Sequence, residues 1–83
     1  MAKCRSSWSI TKTDHDRRIV WITDENGPVS VTNDAEAICL VLGGRNDKPY
    51  RILYKDSTGR WDELIHERGV FKDFAPIDPE LVP

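Results

Sequence analysis

The sequence predicts an α+β domain, a mainly antiparallel sheet of about five to six strands in the order β-β-β-α-β-β-β with one short helix packed on one face. Three observations carry that expectation. Residues 8–31 are rich in alternating apolar and β-branched positions. Residues 33–42 switch to helical spacing between a capping residue and a glycine pair. Residues 50–74 then return to alternation, punctuated by turn residues.

Each element has its own reason. Trp8 to Thr13 alternates, with Trp8 and Ile10 on one side and hydroxyls on the other, the pattern of a half-buried strand. Asp14-His15-Asp16 supplies a turn, and Arg18 to Thr23 reads as a central strand covered on both sides. Asp24-Glu25-Asn26-Gly27 is a strong hairpin turn, because Asn-Gly readily takes positive φ. Pro28 can open a third strand that Val29 and Val31 continue.

Asn33 then fits an N-cap, with Asp34 in the positive first turn and Glu36 completing a capping box. Ala35, Ile38, Val41 and Leu42 form one apolar stripe, and Gly43-Gly44 ends the helix in the left-handed manner. So short a helix does not persist alone and must pack on the sheet.

Tyr50 to Lys55 is a strand with Tyr50, Ile52 and Tyr54 on one face and Arg51, Leu53 and Lys55 on the other. Asp56-Ser57-Thr58-Gly59 predicts a type I turn with glycine in the left-handed position. Trp61 to His66 returns, Glu67-Arg68-Gly69 turns, and Val70 to Phe74 closes the sheet. The expected organisation is a loose tail over 1–7, one domain over 8–75, and an extended proline-rich tail over 76–83.

Composition narrows the function classes. The chain has 83 residues, 39% hydrophobic and 31% charged, which marks one small globular domain rather than a disordered segment. A core of that size leaves little room for a small-molecule pocket of roughly 300 Å³ or more. The net charge of −2 neither draws the chain to nucleic acid nor repels it, but its distribution is uneven. Residues 1–60 carry ten cations and eight anions, whereas residues 61–83 carry two and six. "MAKCRSSW" has no apolar signal core and no stretch reaches membrane-span length, so a cytoplasmic protein with Cys4 and Cys39 as free thiols is expected.

Catalytic and metal constellations are missing from the sequence. Asp62, Glu63, His66 and Glu67 fall on alternate faces of one strand, and there is no His-x-x-x-His or Cys-x-x-Cys spacing. Cys39 sits by the apolar stripe, Cys4 has no neighbouring histidine, and Gly43-Gly44 ends a helix instead of opening a phosphate loop. The sequence therefore predicts no enzyme, no metal and no cofactor.

Binding by surface remains. The acidic rim of Asp62, Glu63, Glu67, Asp73, Asp78 and Glu80 would steer the chain toward a basic protein partner, with Trp8 and Trp61 as aromatic anchors. The alternative is a nucleic-acid face within residues 45–61, where Arg51, Tyr54, Lys55, Arg60 and Trp61 combine cations with rings for stacking. Asp47 and Asp56 interrupt that series, and Asp62 and Glu63 follow it at once. Short strands such as Val70 to Phe74 leave both a monomer and a homodimer open.

In size, and in segments such as "VSVTNDAEAICLVL" and "YRILYKDSTGRWDEL", the chain resembles the small accessory proteins of phages and mobile elements of the anti-CRISPR type. That resemblance implies a stoichiometric, non-catalytic inhibitor in the host cytoplasm. It would occupy a basic surface of a host complex that handles nucleic acid.

Overall fold

The computed structural model describes residues 8–24, 31, 33–34, 38, 42–43, 48–67 and 70–83. Within them lie five strands: β1 (Trp8–Asp14), β2 (Ile19–Asp24), β3 (Arg51–Lys55), β4 (Trp61–Glu67) and β5 (Val70–Pro76). A single 3-10 turn, Pro79–Leu81, follows. The strands lie side by side in chain order, β1-β2-β3-β4-β5. The described structure is thus mostly β, and the α+β expectation holds only in part.

Three corrections to the sequence reading follow. The sheet is mixed, because β2 and β3 run parallel, Ile19 to Thr23 beside Arg51 to Lys55. A parallel neighbour needs a crossover of a dozen or more residues, and residues 25–50 provide it. The expected third strand does not continue through Val31, which has helical backbone and is buried. Asn33 also has helical backbone and is exposed, whereas a capping residue is typically extended, so it does not have the backbone expected of the N-cap, and Asp34 after it is a turn residue.

Most of the expected helix falls outside the described residues, as do Cys4, Cys39, Arg45 and the 25–30 stretch. What is described there is helical in spacing: Ile38 N–H donates to Asp34 O at 2.8 Å, and Leu42 N–H to Ile38 O at 3.2 Å. Gly43 follows at φ +87°, the left-handed conformation expected of the stop.

Strand alternation sorts the core onto two faces. On the front face Val20, Ile22, Tyr50, Ile52, Tyr54 and Leu64 pack against Val31 and Ile38, with Trp8, Leu42 and Phe74 half-buried around them. On the back face Ile19, Trp21 and Leu53 pack with Trp61, Ile77 and Leu81. β2 and β3 contribute to both faces, which is why their sequences read as nearly unbroken apolar runs.

The C-terminal segment accordingly does more than lie over the surface. Ile77 and Leu81 cover the back face, and the Trp21 indole N–H donates to Leu81 O at 2.6 Å. Asp78 precedes Pro79, whose fixed φ suits the first turn of the 3-10 element. Lys12 Nζ lies over the face of the Trp21 ring, 4.7 Å from its centroid. Trp8 has the matching role in front, its indole N–H donating to Asp34 Oδ2 at 2.7 Å and tying the helical segment to β1.

Candidate functional site

Because β2 and β3 are parallel, their carboxyl ends meet at one end of the sheet. Such ends are where ligands gather in parallel sheets. β1 and β4 begin at this end, and β5 finishes there. Alternation decides which side chains it presents in front. Asp24 lies two residues beyond Ile22, and Asp56 two beyond Tyr54. Asp62 is the register partner of Tyr54 across β3 and β4. Three carboxylates and a phenol therefore share the front face.

Two cavities open there. One of about 260 Å³ is lined by Thr23, Asp24, Lys55, Asp56 and Ser57. The other, about 190 Å³, is lined by Tyr54, Asp56, Asp62 and Phe74. Asp56 borders both.

Local chemistry holds these groups in place. Asp56 Oδ1 accepts from Thr58 N–H (2.9 Å), Thr58 Oγ1 (2.6 Å) and Arg60 N–H (3.0 Å). Those bonds, the Thr58 hydroxyl foremost, hold its carboxyl below the usual carboxylate range, and it stays ionised at neutral pH. Gly59 supplies the positive φ (+91°) that closes the turn, as the sequence predicts. Asp62 accepts from Arg60 Nε at 3.2 Å.

Tyr54 is only 3% exposed. Its hydroxyl is buried and has no hydrogen-bond partner among the described residues. Burial pushes the phenol's pKa up, and the negative charges of Asp24 and Asp56 push it further, so the hydroxyl stays protonated. Asp24 itself is 4% exposed.

The other residues expected from sequence are scattered. Of the acidic rim, Asp62 lies in front, whereas Glu63, Glu67 and Asp73 alternate to the back. Glu63 binds Arg51 through two bonds of 3.0 and 2.8 Å, and Glu67 lies 3.7 Å from Lys72. Asp73 Oδ1 accepts from the Phe74 N–H at 2.8 Å. Asp78 lies near enough to Arg51 to help Glu63 keep that guanidinium charged, and Glu80 is exposed on the 3-10 turn. The aromatic anchors Trp8 and Trp61 are half-buried, each sealing one face of the core.

Of the basic and aromatic residues, Arg51, Lys55 and the half-buried Trp61 lie on the back face, with Lys55 and Trp61 as register partners, and Tyr54 does not join them. Arg51 and Lys55 flank Leu53 on the back, while Tyr54 is buried in front. Arg60 is turned to Asp62 and Arg51 to Glu63. At the opposite end of the sheet, His15 Nδ1 lies 2.6 Å from the Tyr50 hydroxyl and His66 Nε2 3.4 Å from Tyr50 O, a structural staple.

Asp24 and Asp56 were missed by reading the sequence for turns alone. The signal was present: each follows an inward-facing core residue by two positions at the end of a strand. Only the parallel pairing of β2 with β3, hidden in the crossover, brings the two together.

Among the described residues no group of three or more His, Cys, Asp or Glu side chains is placed to hold a metal ion, and no helix is long and apolar enough to cross a membrane. No protein-family model matches the chain, and neither a curated protein nor a solved structure shows significant similarity to it.

Proposed function

We propose that this chain is a small, non-catalytic protein-binding module that occupies a basic surface on its partner. In the anti-CRISPR-like setting that the sequence resembles, the partner is a host complex that handles nucleic acid, and the encounter takes place in the host cytoplasm. The observation that carries the reading is the crevice at the end of β2 and β3, where Asp24, Asp56 and Asp62 line cavities of about 260 and 190 Å³. These volumes fall below the roughly 300 Å³ at which small-molecule sites begin, yet they suit protruding side chains. A carboxylate-lined opening attracts cations and disfavours phosphate.

Anisotropy measurements with two labelled probes test the reading, one a mixed lysine- and arginine-rich peptide and the other a short single-stranded oligonucleotide. The peptide should bind and weaken with added salt, whereas the oligonucleotide should give a flat titration even at low salt. Binding of the oligonucleotide with a steep salt dependence, and none of the peptide, would overturn the proposal in favour of the nucleic-acid face.

A further inference from the structure

The back face carries an inference that goes beyond the reading above and is independent of the crevice. We propose that the groove over Ile19, Trp21, Leu53 and Trp61 is a second docking site, for an acidic peptide segment of a partner protein, and that the chain's own residues 77–82 are its resident, displaceable occupant.

The first observation is how lightly that strap is held. Ile77 and Leu81 reach the groove floor but are only half-buried, and no residue of the Pro79–Leu81 turn is buried. Among the described residues one hydrogen bond joins the strap to the sheet, from the Trp21 indole N–H to Leu81 O. Its other bonds, Leu81 N–H to Asp78 O and Val82 N–H to Pro79 O, close the turn on itself. A segment with two shallow anchors and no ladder bonds belongs to the part of a fold that opens first.

The second observation is what opening uncovers. With the strap in place Ile19, Trp21 and Leu53 are at most 2% exposed. Without it, an apolar floor and the Trp21 indole donor are left to water. The open state therefore favours a replacement that brings the same groups, two aliphatic side chains and a backbone carbonyl. Extended peptides are commonly recognised in this way, by side-chain anchors and a few main-chain bonds.

Charge is the third. On β3, Arg51 and Lys55 flank Leu53, and Lys12 lies over Trp21. The acids of this face at Asp14 and Glu63 are taken by Arg17 and Arg51, whereas Lys12 and Lys55 have no ion-pair partner among the described residues. The strap answers with Asp78, whose charge acts on Arg51, and with Glu80. An occupant of like chemistry carries aliphatic side chains four residues apart with carboxylates between them, as in Ile77-Asp78-Pro79-Glu80-Leu81. The proline restrains such a segment before it docks, which lowers the cost of ordering it.

The test titrates a labelled peptide, PIDPELVP, against the full chain and against Leu81→Ala, read by anisotropy and by the Trp21 indole N–H in amide NMR spectra. Because the resident strap competes, the peptide should bind the full chain weakly. Leu81→Ala loosens the strap and should bind the peptide roughly tenfold more tightly. Peptides with both carboxylates changed to amides, or both aliphatic anchors changed to serine, should each bind roughly tenfold or more weakly than the parent.

No binding to a Leu81→Ala chain that is folded by circular dichroism, equal binding to both chains, or an amide peptide as tight as the acidic one would overturn the assignment. If Leu81→Ala does not fold, the full chain decides: excess parent peptide should shift the Trp21 indole N–H and the serine peptide should not, and any other result overturns it. A dimer of the unmodified chain would overturn it too, in favour of the strap of a second copy as the occupant. None of these outcomes touches the crevice, whose test uses a basic peptide.

Discussion

Tyr54 concentrates the tension of the fold at a single residue. Its ring is part of the front core, but its hydroxyl is buried with no partner among the described residues. Removing that hydroxyl should therefore stabilise the isolated protein, and Tyr54→Phe should raise the unfolding free energy by about 1 kcal/mol in urea titrations. The same residue sets an alkaline limit. Its folded pKa is raised above the ordinary 10.0, so its contribution is fully present below pH 10 and is lost as the unfolded phenol ionises at higher pH. That loss should shrink in Tyr54→Phe. Asp56 acts in the opposite direction. Its folded pKa lies below the ordinary 3.8, so its share of stability is present above that pH and fades in more acid solution. Asp56→Asn should lower the midpoint slightly at neutral pH and flatten its fall toward pH 3, as thermal melts across pH would read. Arg18 is the strained residue of the β1–β2 turn, at φ +55°, and its carbonyl accepts the Arg51 N–H at 2.7 Å. Arg18→Gly keeps that bond and relieves the left-handed backbone, which should add about 1 kcal/mol. From sequence Arg18 looked like the first residue of a strand, because residue type alone does not reveal a backbone angle imposed by closing a tight turn.

Among the elements, strands that could be recognised by alternation were found at nearly their true places. β1, β2, β3, β4 and β5 match the expected strands to within a residue or two, and Gly59 of the Asp56–Gly59 turn takes the expected positive φ. The two faces of β3 were legible too, because period-two alternation is a local property. What was not legible depends on contacts distant in sequence. Asn26-Gly27 suggested a hairpin and hence an antiparallel third strand, yet β2 pairs next with β3 in parallel, and Val31 is helical. The proline-rich end looked like an extended tail, but two apolar residues within it, Ile77 and Leu81, pack on the back core. Both covers can be tested. Ile38→Ala, at a fully buried position, should cost about 2–5 kcal/mol. Deleting residues 77–83 strips two half-buried aliphatic side chains and the Leu81 acceptor from Trp21, which should cost about 2–4 kcal/mol. It should also shift tryptophan emission to the red. If either change left stability untouched, that segment would be an appendage and its face of the sheet would be open.

On the scale of the whole molecule, the outer strands are built against pairing with a further strand. β1 shifts register between Ile10 and Lys12, where the Thr11 hydroxyl donates to Trp21 O at 3.1 Å. β5 shifts opposite Ile65 and His66, carries Lys72 and Asp73 at its centre and ends in Pro76. The Phe74 N–H is already bonded to Asp73 Oδ1. Bulges, central charges and proline are the usual devices that blunt a sheet edge. Light scattering at high concentration should therefore report the 9.5 kDa monomer, and a dimer would point to pairing through one of these edges. Among the described residues Arg51 and Arg60 are each turned to a carboxylate, and the crevice at the end of β2 and β3 gathers the carboxylates on which the proposed recognition rests. The acidic rim led toward it only through Asp62, since its other carboxylates are distributed over the back face and the C-terminal turn. The most direct test is a two-dimensional amide NMR titration of the labelled protein with an arginine-rich peptide. The account predicts that the shifted resonances cluster at Asp24, Tyr54, Asp56, Asp62 and Phe74. Shifts concentrated instead around Lys12, Arg51 and Lys55 on the back face, or around Ile65, Val70 and Phe71 at the far end, with the crevice residues unmoved, would contradict it.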